Sequence, residues 1–421
     1  MKNRKIFSLL LLPAIAVSGL LLLNALKSDP PKKNKAAEAG LTLPEGFNAT
    51  VIADNLGSAR HLVVTPQHDI YIHMASTRKS KGIIVLHEDG NVATVKTSFG
   101  DYGGTGIAIK DGYLYASSKN SVFRYKLDAQ NQVIDADKPE TIVRGLLEID
   151  HHQPKALTLD NDGNLYVNIG APSNICEEYD KNRTGCRILD SAGGIWQFKA
   201  NKLNQSYPES VHYATGLRNV VGIFWNQQLN QLFVTQHGRD ALHDLYPKLY
   251  TAKQSAELPS ECLFALKKGD NAGWPYIYYD WQKQKNILGP EYGGDGEKEA
   301  DPKYIKPVVG FPGHYAPDCL VFYTGNQFPA RYKNGAFIAF HGSWNRYPEP
   351  QAGYLVAFQP FKNGKPDGKW EIFADGFAGT AEQKASGRAV HRPCGLAQGP
   401  DGSLYVTDDN KGTIYKITYK G

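Results

Sequence analysis

One short pattern occurs six times along this chain, and each copy joins a hydrophobic strand to a polar turn. The copies are IYIHMAS from Ile70, LYASSKN from Leu114, LYVNIGA from Leu165, LFVTQHG from Leu232, FIAFHGS from Phe337 and LYVTDDN from Leu404. Strands rich in β-branched and aromatic residues beside tight turns indicate hairpins. Intervals of tens of residues leave room for four short strands in each copy, which is typical of radial β-sheets. The repeat therefore predicts an all-β fold, a six-bladed β-propeller.

Composition agrees with this architecture. The 421 residues include 42 Gly and 24 Tyr, so the chain is rich in turns and aromatic residues and does not resemble a helix bundle. A propeller can exceed the usual size of a domain because its core is distributed between blades. The net charge of +5 is modest, and no groove of interleaved basic and aromatic residues is evident. We therefore expect no nucleic-acid partner.

The N-terminus has the pattern of an export signal. Three basic residues precede an apolar run from Ile6 to Leu26. Residues 1–26 are predicted to be a signal peptide or an N-terminal membrane anchor, and both stay open because the run is about long enough to span a bilayer. Residues 27–42 are predicted to form a flexible tether, and 43–421 the propeller. The predicted location is periplasmic or secreted, with membrane contact only through the N-terminal segment if it is not cleaved.

The copies are unevenly spaced, and the interval between the fourth and the fifth copy contains additional residues. The strand at Leu232 and the next at Phe337 are separated by a long insertion at about 241–317, which carries the aromatic string WPYIYYDW from Trp274. Loops at one end of a propeller channel carry its function, so this insertion is predicted to shape a site. A decorative or oligomerising loop is the alternative.

Five cysteines in an exported chain indicate disulfides with one thiol left over. Cys176 and Cys186 flank a short polar loop and are the first choice for a pair. Cys319 and Cys394 each precede the inner strand of a blade, the fifth and the sixth, and form the second predicted pair. Cys262 is then the unpaired thiol.

Polar residues before two inner strands are candidates for chemistry. His151 and His152 precede the inner strand of the third blade, where a histidine can act as a general base because its pKa lies near neutrality. A surface histidine pair is the alternative. Arg218 and Asn219 occupy the same place in the fourth blade and offer a planar fork and a neutral donor to a carboxylate or quinone oxygen. An arginine paired structurally with an aspartate is the alternative there.

Three further strings complete the candidate site. The turn TQHGRDALHDL from Thr235 exposes main-chain carbonyls around Gly238, with Asp240 and Asp244 nearby, and oxygen ligands of this kind suit Ca²⁺. The strings FHGSWNR and HRPCGL place cationic residues beside strands of the fifth and sixth blades. Together with the histidines and the arginine of the third and fourth blades, they predict a cationic pocket for a ligand with several negatively charged oxygens. Clustering of these residues by chance is the alternative.

A family resemblance rests on four strings in this order: VNIGAPSN, GLRNVVG, FHGSWNR and GLAQGPDGSLYVTDD. They resemble the sorbosone dehydrogenase-type sugar dehydrogenases, which are related to the soluble aldose and glucose dehydrogenases that use pyrroloquinoline quinone (PQQ). The resemblance extends from Leu43 to the C-terminus. It implies a PQQ-dependent quinoprotein dehydrogenase that oxidises an aldose or sorbosone-like sugar by hydride transfer to PQQ and passes the electrons to an external acceptor.

The same resemblance implies residue roles. His152 matches the catalytic base of the family. The residues implied to bind PQQ are Gln153, Arg218, Asn219, His341, Arg346 and Arg392. Main-chain oxygens of Gly238 and Arg239 match those that bind the calcium ion of the family. This chain departs from the family pattern in the last blade, where Cys394 replaces the second arginine of an R-x-R pair, and in the fifth blade, which lacks a lysine.

Two other classes of protein use this architecture. A calcium-dependent propeller hydrolase or lactonase needs several acidic side chains in the channel, whereas the residues predicted there are cationic. A non-catalytic binding module needs no buried cationic cluster and is expected to expose an apolar patch.

Overall fold

The computed structural model describes residues 33–35 and 39–421. In it, the first strands of six mainly antiparallel sheets surround one channel. These strands contact one another in cyclic order, and the first strand of the sixth sheet returns to the first strand of the first sheet. They line a common cavity of about 700 Å³ at one end of the channel. The predicted six-bladed β-propeller is confirmed.

The first three blades follow the chain in order, and the lists run from the channel outward. Blade 1 contains Ala59–Val64, Asp69–Arg78, Lys81–Asp89 and Val92–Phe99. Blade 2 contains Ile107–Lys110, Tyr113–Ser117, Val122–Lys126, Glu140–Arg144 and the parallel edge strand Gln205–Ser206. Blade 3 contains Leu157–Leu159, Asn164–Ile169, Gly194–Lys199, Val211–Thr215 and the parallel edge strand Asp270–Asn271. Later segments of the chain thus complete the outer edges of blades 2 and 3.

The last three blades close the ring. Blade 4 contains Val220–Asn226, Gln231–Gln236, Glu261–Leu266 and Val309–Phe311. Blade 5 contains Pro317–Phe322, Ala336–Phe340, Leu355–Gln359 and Glu371–Ala374. Blade 6 contains Pro393–Gln398, Leu404–Asp408, Ile414–Tyr419 and, as its outer strand, Phe47–Ala53. The pairing of an early strand with the last strand of the chain joins the two ends of the ring.

Short elements decorate this ring. The two-stranded pairs are Lys33–Lys35 with Thr42–Pro44, Ile277–Asp280 with Lys285–Leu288, and Phe361–Lys362 with Lys365–Pro366. The α-helices are Leu242–Leu245, Ala252–Glu257 and Ala381–Ala385, and the 3₁₀ helices are Arg187–Asp190, Tyr207–Glu209, Pro290–Tyr292 and Ala330–Tyr332. None of the helices in residues 33–35 and 39–421 is long and apolar enough to cross a membrane. The predicted export segment 1–26 and most of the predicted tether lie outside the described residues.

Each of the six repeated strings falls on the second strand of its blade. Asn164–Ile169 and Ala336–Phe340 are buried along their whole length. Both faces of such a strand pack against neighbouring blades, which is why its sequence is a hydrophobic run and not a strict alternation. The core accordingly lies between blades: Phe233 of blade 4 belongs to the same buried cluster as Leu320 and Ile338 of blade 5.

The segment predicted as an insertion at 241–317 also supplies the two outer strands of blade 4, Glu261–Leu266 and Val309–Phe311. Between them it forms the hairpin of Ile277–Asp280 and Lys285–Leu288. Trp274 is buried, and its indole Nε1 donates a hydrogen bond of 2.9 Å to the carbonyl of Asn174. The aromatic string therefore packs beneath the loop that follows the second strand of blade 3.

The predicted Cys176–Cys186 disulfide is present, with a Cα–Cα distance of 6.0 Å. The predicted pair of Cys319 and Cys394 is wrong, because both are buried free thiols. The Sγ atom of Cys394 lies 3.6 Å from Oδ2 of Asp318 instead. Corresponding positions in neighbouring blades bring two residues close together. They do not by themselves orient the two Cβ–Sγ bonds toward each other, as a disulfide requires.

We expect the double variant C176S/C186S to lose about 2–3 kcal/mol of unfolding free energy, because the crosslink restricts the unfolded chain. Thermal melts with and without dithiothreitol measure this loss. The melting temperature of the wild type falls in reductant, while that of the double variant does not change. Equal melting temperatures of the oxidised wild type and the variant would contradict the expectation.

Candidate active site

Polar side chains from three blades meet at one mouth of the channel. In an antiparallel blade the start of the first strand and the end of the second strand lie at the same end. Residues before Leu157–Leu159 and Val220–Asn226 therefore meet those that follow Asn164–Ile169 and Gln231–Gln236. A cavity of about 510 Å³ lies there, lined among others by His151, His152, Glu178, Arg218, His237, Gly238, Asp240, Glu261, His314, Trp344 and Asn345.

Backbone hydrogen bonds hold the loops of this mouth together. The amide of Ala171 donates to the carbonyl of Arg218 at 2.7 Å, and the amide of His237 donates to the carbonyl of Asn219 at 2.9 Å. Blade 3 is thereby joined to the start of blade 4, and both strand ends of blade 4 are joined to each other. The candidate residues are fixed by backbone pairing and not by side-chain contacts alone.

His152 is oriented as a proton acceptor. Its Nδ1 lies 2.6 Å from the carbonyl oxygen of Ala171. A carbonyl only accepts, so Nδ1 carries the proton and the neutral ring leaves the lone pair of Nε2 available. Burial and the nearby positive charge of Arg218 lower the pKa of His152 to about 3. The imidazole is thus neutral at ordinary pH and able to take up a proton.

Two features of the backbone fix the position of His152. His152 has φ +55°, in the left-handed region that few non-glycine residues adopt. Its backbone packs directly on Gly170, where an added Cβ would lie 2.7 Å from both Cβ and the carbonyl oxygen of His152. A side chain at position 170 would displace the histidine, so Gly170 keeps the ring in place.

The titration of His152 can be measured in the cofactor-free protein. A group whose pKa is lowered stays unprotonated until the pH falls to that lowered value, whereas an ordinary histidine is largely protonated at pH 5. Since the pKa of His152 is lowered to about 3, we expect the ring to stay neutral from pH 8 to pH 5. Nitrogen-labelled histidine NMR, with assignment by the variant His152→Asn, follows the ring directly. A midpoint near pH 6.5 would contradict the structure.

Arg218 lies deep in the cavity wall. Nη1 donates to the carbonyl of Gly238 and Nη2 to Oδ2 of Asp240, each at 2.7 Å. Its Nε and the side-chain oxygen of Asn219 are buried without a hydrogen-bond partner among the residues that the structure describes. Buried polar groups without partners are rare in native proteins and often mark a place where a ligand completes the bonding.

Asp240 balances the charge of Arg218. It also accepts a hydrogen bond of 2.6 Å from Asn345 and lies 3.3 Å from Nδ1 of His314. Burial alone would raise the pKa of Asp240, but Arg218 and the hydrogen bond with His314 hold it well below the usual value. Asp240 is therefore an anion that connects blades 4 and 5 across the cavity.

The turn predicted to bind a metal forms one wall of the cavity. The Gly238 amide donates to Oε2 of Glu261 at 2.9 Å, and the Gly238 carbonyl accepts from Arg218. The side chain of Arg239 points away, into a buried ion pair of 2.5 Å with Glu291. The carbonyl of Arg239 accepts no hydrogen bond from a described residue.

A second cluster lies beside the first, on blades 1, 5 and 6. Arg60 contacts Oδ2 of Asp409 at 2.9 Å and Oδ2 of Asp318 at 3.5 Å. Nε2 of His341 lies 2.7 Å from Oδ1 of Asp409. Asp318 and Asp409, with the thiol of Cys394, bring their ligand atoms within 4.8 Å of one another, but Arg60 already supplies the balancing charge.

The remaining predicted residues are not all brought to this cavity. Gln153 lines a neighbouring cavity of about 700 Å³ that also contacts Arg60. Arg392 donates to the carbonyl of Gly342 at 2.9 Å, and its Nε is buried without a partner among the described residues. The guanidinium of Arg346 is directed into the protein, where it bonds to Glu257 and to backbone carbonyls, including those of Ala256 and Gly313.

The sequence placed Asp240 beside the predicted metal-binding turn, but it gave no role to six other residues at the mouth, namely Arg60, Glu261, His314, Asp318, Asn345 and Asp409. The cationic residues predicted at the mouth are accompanied there by four buried or half-buried carboxylates, those of Asp240, Glu261, Asp318 and Asp409. Each is balanced by an arginine, a histidine or backbone amides. The only sequence signal for them was position: Asp409 and Asn345 follow second strands, as His237 does.

Three comparisons with known proteins bear on this site. The sequence model of the TrAA12-like family matches residues 41–420. An uncharacterized protein of Borreliella burgdorferi is 25% identical over 396 residues, which cover 90% of this chain and 91% of that protein. The pyrroloquinoline quinone-dependent pyranose dehydrogenase of Coprinopsis cinerea is 25% identical over 341 residues, 72% of this chain but only 44% of the longer relative.

Among solved structures, the calcium structure of the family AA12 carbohydrate-active enzyme of Trichoderma reesei superposes with a TM-score of 0.73. The two chains are 19% identical, and the superposition covers 92% of this chain and 99% of the other. At this level of identity the likeness concerns the fold.

Proposed function

Because this chain belongs to the TrAA12-like family, we propose that it is a PQQ-dependent dehydrogenase that oxidises an aldose or a sorbosone-like sugar and passes the electrons to an external acceptor. The observation that carries the proposal is the placement of His152. His152, whose Nε2 has no partner among the described residues, lines the same cavity as Arg218, whose buried Nε also has no described partner. The relatives named for PQQ and for pyranose oxidation support the choice of cofactor and substrate class.

The residues present fit PQQ, which carries three carboxylates and an ortho-quinone. Arg218 and Arg392 each have a buried Nε–H donor without a described partner. Guanidinium groups suit carboxylates and quinone oxygens because they donate two parallel hydrogen bonds. Arg218, Asn219, His341 and Arg392 would hold the cofactor, with Gln153 at its edge, whereas Arg346 is already saturated by other partners.

The cavity also fits a calcium ion. The carbonyl of Gly238 has a second lone pair beyond its bond to Arg218. The carbonyl of the adjacent Arg239, which is not among the residues lining this cavity, accepts no hydrogen bond from a described residue. The carboxylates of Asp240 and Glu261 line the same cavity. Hard cations of this size prefer such oxygen donors, and main-chain carbonyls are common among their ligands.

PQQ, when bound, supplies a quinone that accepts a hydride from the sugar. The chain itself positions the sugar and removes its proton. His152 takes the proton of the reacting hydroxyl on Nε2, while the Ala171 carbonyl keeps Nδ1 protonated and the ring oriented. Arg218 and Asp240 form a fixed ion pair, so the donors in the cavity wall are already oriented before the sugar arrives.

Reconstitution tests the proposed function. The chain from about Lys33 onward, which keeps the strand Lys33–Lys35, is produced without cofactor and titrated with PQQ and Ca²⁺. The quinone absorption and the reduction of a dye are followed with a panel of aldoses and with sorbosone. Stoichiometric binding and sugar-dependent bleaching are the expected results. Absence of PQQ binding would overturn the proposal and favour a non-catalytic module.

We place the protein outside the cytoplasm, in the periplasm or secreted, because of the predicted export segment at 1–26. The Cys176–Cys186 disulfide supports an oxidising compartment.

A further inference from the structure

Two aromatic side chains on one loop of blade 5 stand in solvent. Trp344 is 75% exposed and Tyr347 is 89% exposed. Every other large hydrophobic side chain that residues 39–421 expose strongly is aliphatic. Aromatic rings bury more area than any other side chains when they find a partner, so two of them left in water on one loop call for an explanation.

The loop that carries them is firmly held. Between and beside the two rings, Asn345 donates to Asp240 at 2.6 Å and Arg346 contacts Glu257 at 2.6 Å. Ser343 and Ala352 exchange two hydrogen bonds, 2.9 Å from the Ser343 amide and 2.8 Å from the Ala352 amide. The rings therefore project from a backbone that is already ordered, and a ligand that stacks on them orders little more than the side chains.

Trp344 stands at the edge of the candidate active site, and Tyr347 follows it on the same loop. Trp344 and Asn345 both line the cavity of about 510 Å³ that contains His152. His151 and Glu178 line the same cavity, and the structure gives neither the His151 ring nor Oε1 of Glu178 a hydrogen-bond partner among the described residues. An apolar ring face beside a few polar groups is the usual composition of a small-molecule site.

The size of the patch decides between a sugar and a protein. Two aromatic side chains offer about 300–500 Å². A stable protein–protein contact buries about 800 Å² on each partner. A pyranose with equatorial hydroxyls matches the smaller area, because its axial C–H bonds form flat apolar faces while its hydroxyls meet the polar groups beside the ring.

We propose that Trp344 and Tyr347 form a stacking platform for a β-linked glucose unit that lies beyond the sugar ring being oxidised. This inference rests on the proposed function and extends it: the substrate is an oligosaccharide, bound by its reacting end at His152 and by an inner unit at the platform.

The first test compares substrates of different length in the reconstituted enzyme. For β-1,4-linked gluco-oligosaccharides of three to five units, Trp344→Ala is expected to lower kcat/KM about tenfold, mainly through KM. For glucose the loss is expected to be several-fold smaller than for the longer sugars, and Trp344→Phe retains most of the activity on both. Ile134→Ala, on a 59% exposed side chain of blade 2, is the control and changes neither.

A second test needs no cofactor. Affinity electrophoresis of the cofactor-free chain through gels that contain a soluble β-1,4-glucan derivative is expected to show retardation, which the variant W344A/Y347A loses. If reconstitution fails but retardation persists, the dehydrogenase assignment falls and the platform stands. If retardation is absent, or if Trp344→Ala lowers kcat/KM equally for glucose and for the longer sugars, the platform is overturned. A loss of rate seen only with a protein electron acceptor would overturn it as well.

Discussion

Replacing His152 with asparagine is expected to lower kcat of the reconstituted enzyme by about 10²–10⁴-fold, the usual contribution of a general base. Asparagine suits this test because it adopts the left-handed backbone more readily than alanine does, and His152 has φ +55°. The substitution therefore removes the imidazole with little change in the backbone. PQQ binding, followed by absorption, is expected to persist.

A histidine outside the site provides the matched control. His68 of blade 1 also has a left-handed backbone, with φ +61°, and it does not line the candidate site. His68→Asn is expected to change kcat less than threefold. Full activity in His152→Asn, or equal losses in the two variants, would show that another group removes the proton.

Replacing Arg218 with lysine is expected to weaken PQQ binding about 100-fold. Lysine keeps the positive charge opposite Asp240 but loses the planar fork, and one hydrogen bond to a charged group contributes about 1.5–3 kcal/mol. Nε of Arg218, which has no described partner, is the donor that we expect the cofactor to use. Equilibrium titration of the cofactor-free variant with PQQ, by quinone absorption, measures the loss.

Arg124→Lys is the control for a buried arginine. Arg124 pairs with Glu140 at 2.6 Å in blade 2 and does not line the candidate site. The same exchange there is expected to lower stability without changing PQQ affinity. Unchanged affinity in Arg218→Lys would remove Arg218 from the cofactor site, and a collapse of folding in that variant, detected by circular dichroism, would assign it a structural role.

Replacements at the candidate site have different structural consequences because its groups are coupled. Removing Asp240 would leave Arg218 buried without its counter-ion, so a loss of activity there would combine catalysis with folding. The His152 ring has one hydrogen-bond partner among the described residues, the Ala171 carbonyl. A loss of activity in His152→Asn therefore reports on catalysis more directly than a loss caused by replacing Asp240.

Local sequence patterns were sufficient to predict the ring of six blades and the positions of several site residues. The string LYVNIGA predicts a strand because its β-branched and aromatic residues suit a sheet buried on both faces, and it forms Asn164–Ile169. The same logic places His152 and Arg218 before first strands and so at one mouth of the channel. The Cys176–Cys186 pair was also accessible, because ten residues of separation close easily.

Local sequence patterns could not predict the directions of side chains or the contacts between residues far apart in the chain. Arg346 lies in a string that places it beside the channel, but its guanidinium turns inward to Glu257, 89 residues earlier in the chain. Asp240 meets Asn345, which is 105 residues away. Cys319 and Cys394 occupy corresponding positions in neighbouring blades, and yet their thiols do not form a disulfide.

The sequence by itself determined the number of blades, their order and which ends of the strands carry polar groups, because these follow from hydrophobic runs and turns that act over a few residues. Only the tertiary structure decided the charge balance of the mouth, the free nitrogen of His152 and the exposure of Trp344. Those properties depend on burial and on distances between blades, which are set when the ring closes between Phe47–Ala53 and Ile414–Tyr419.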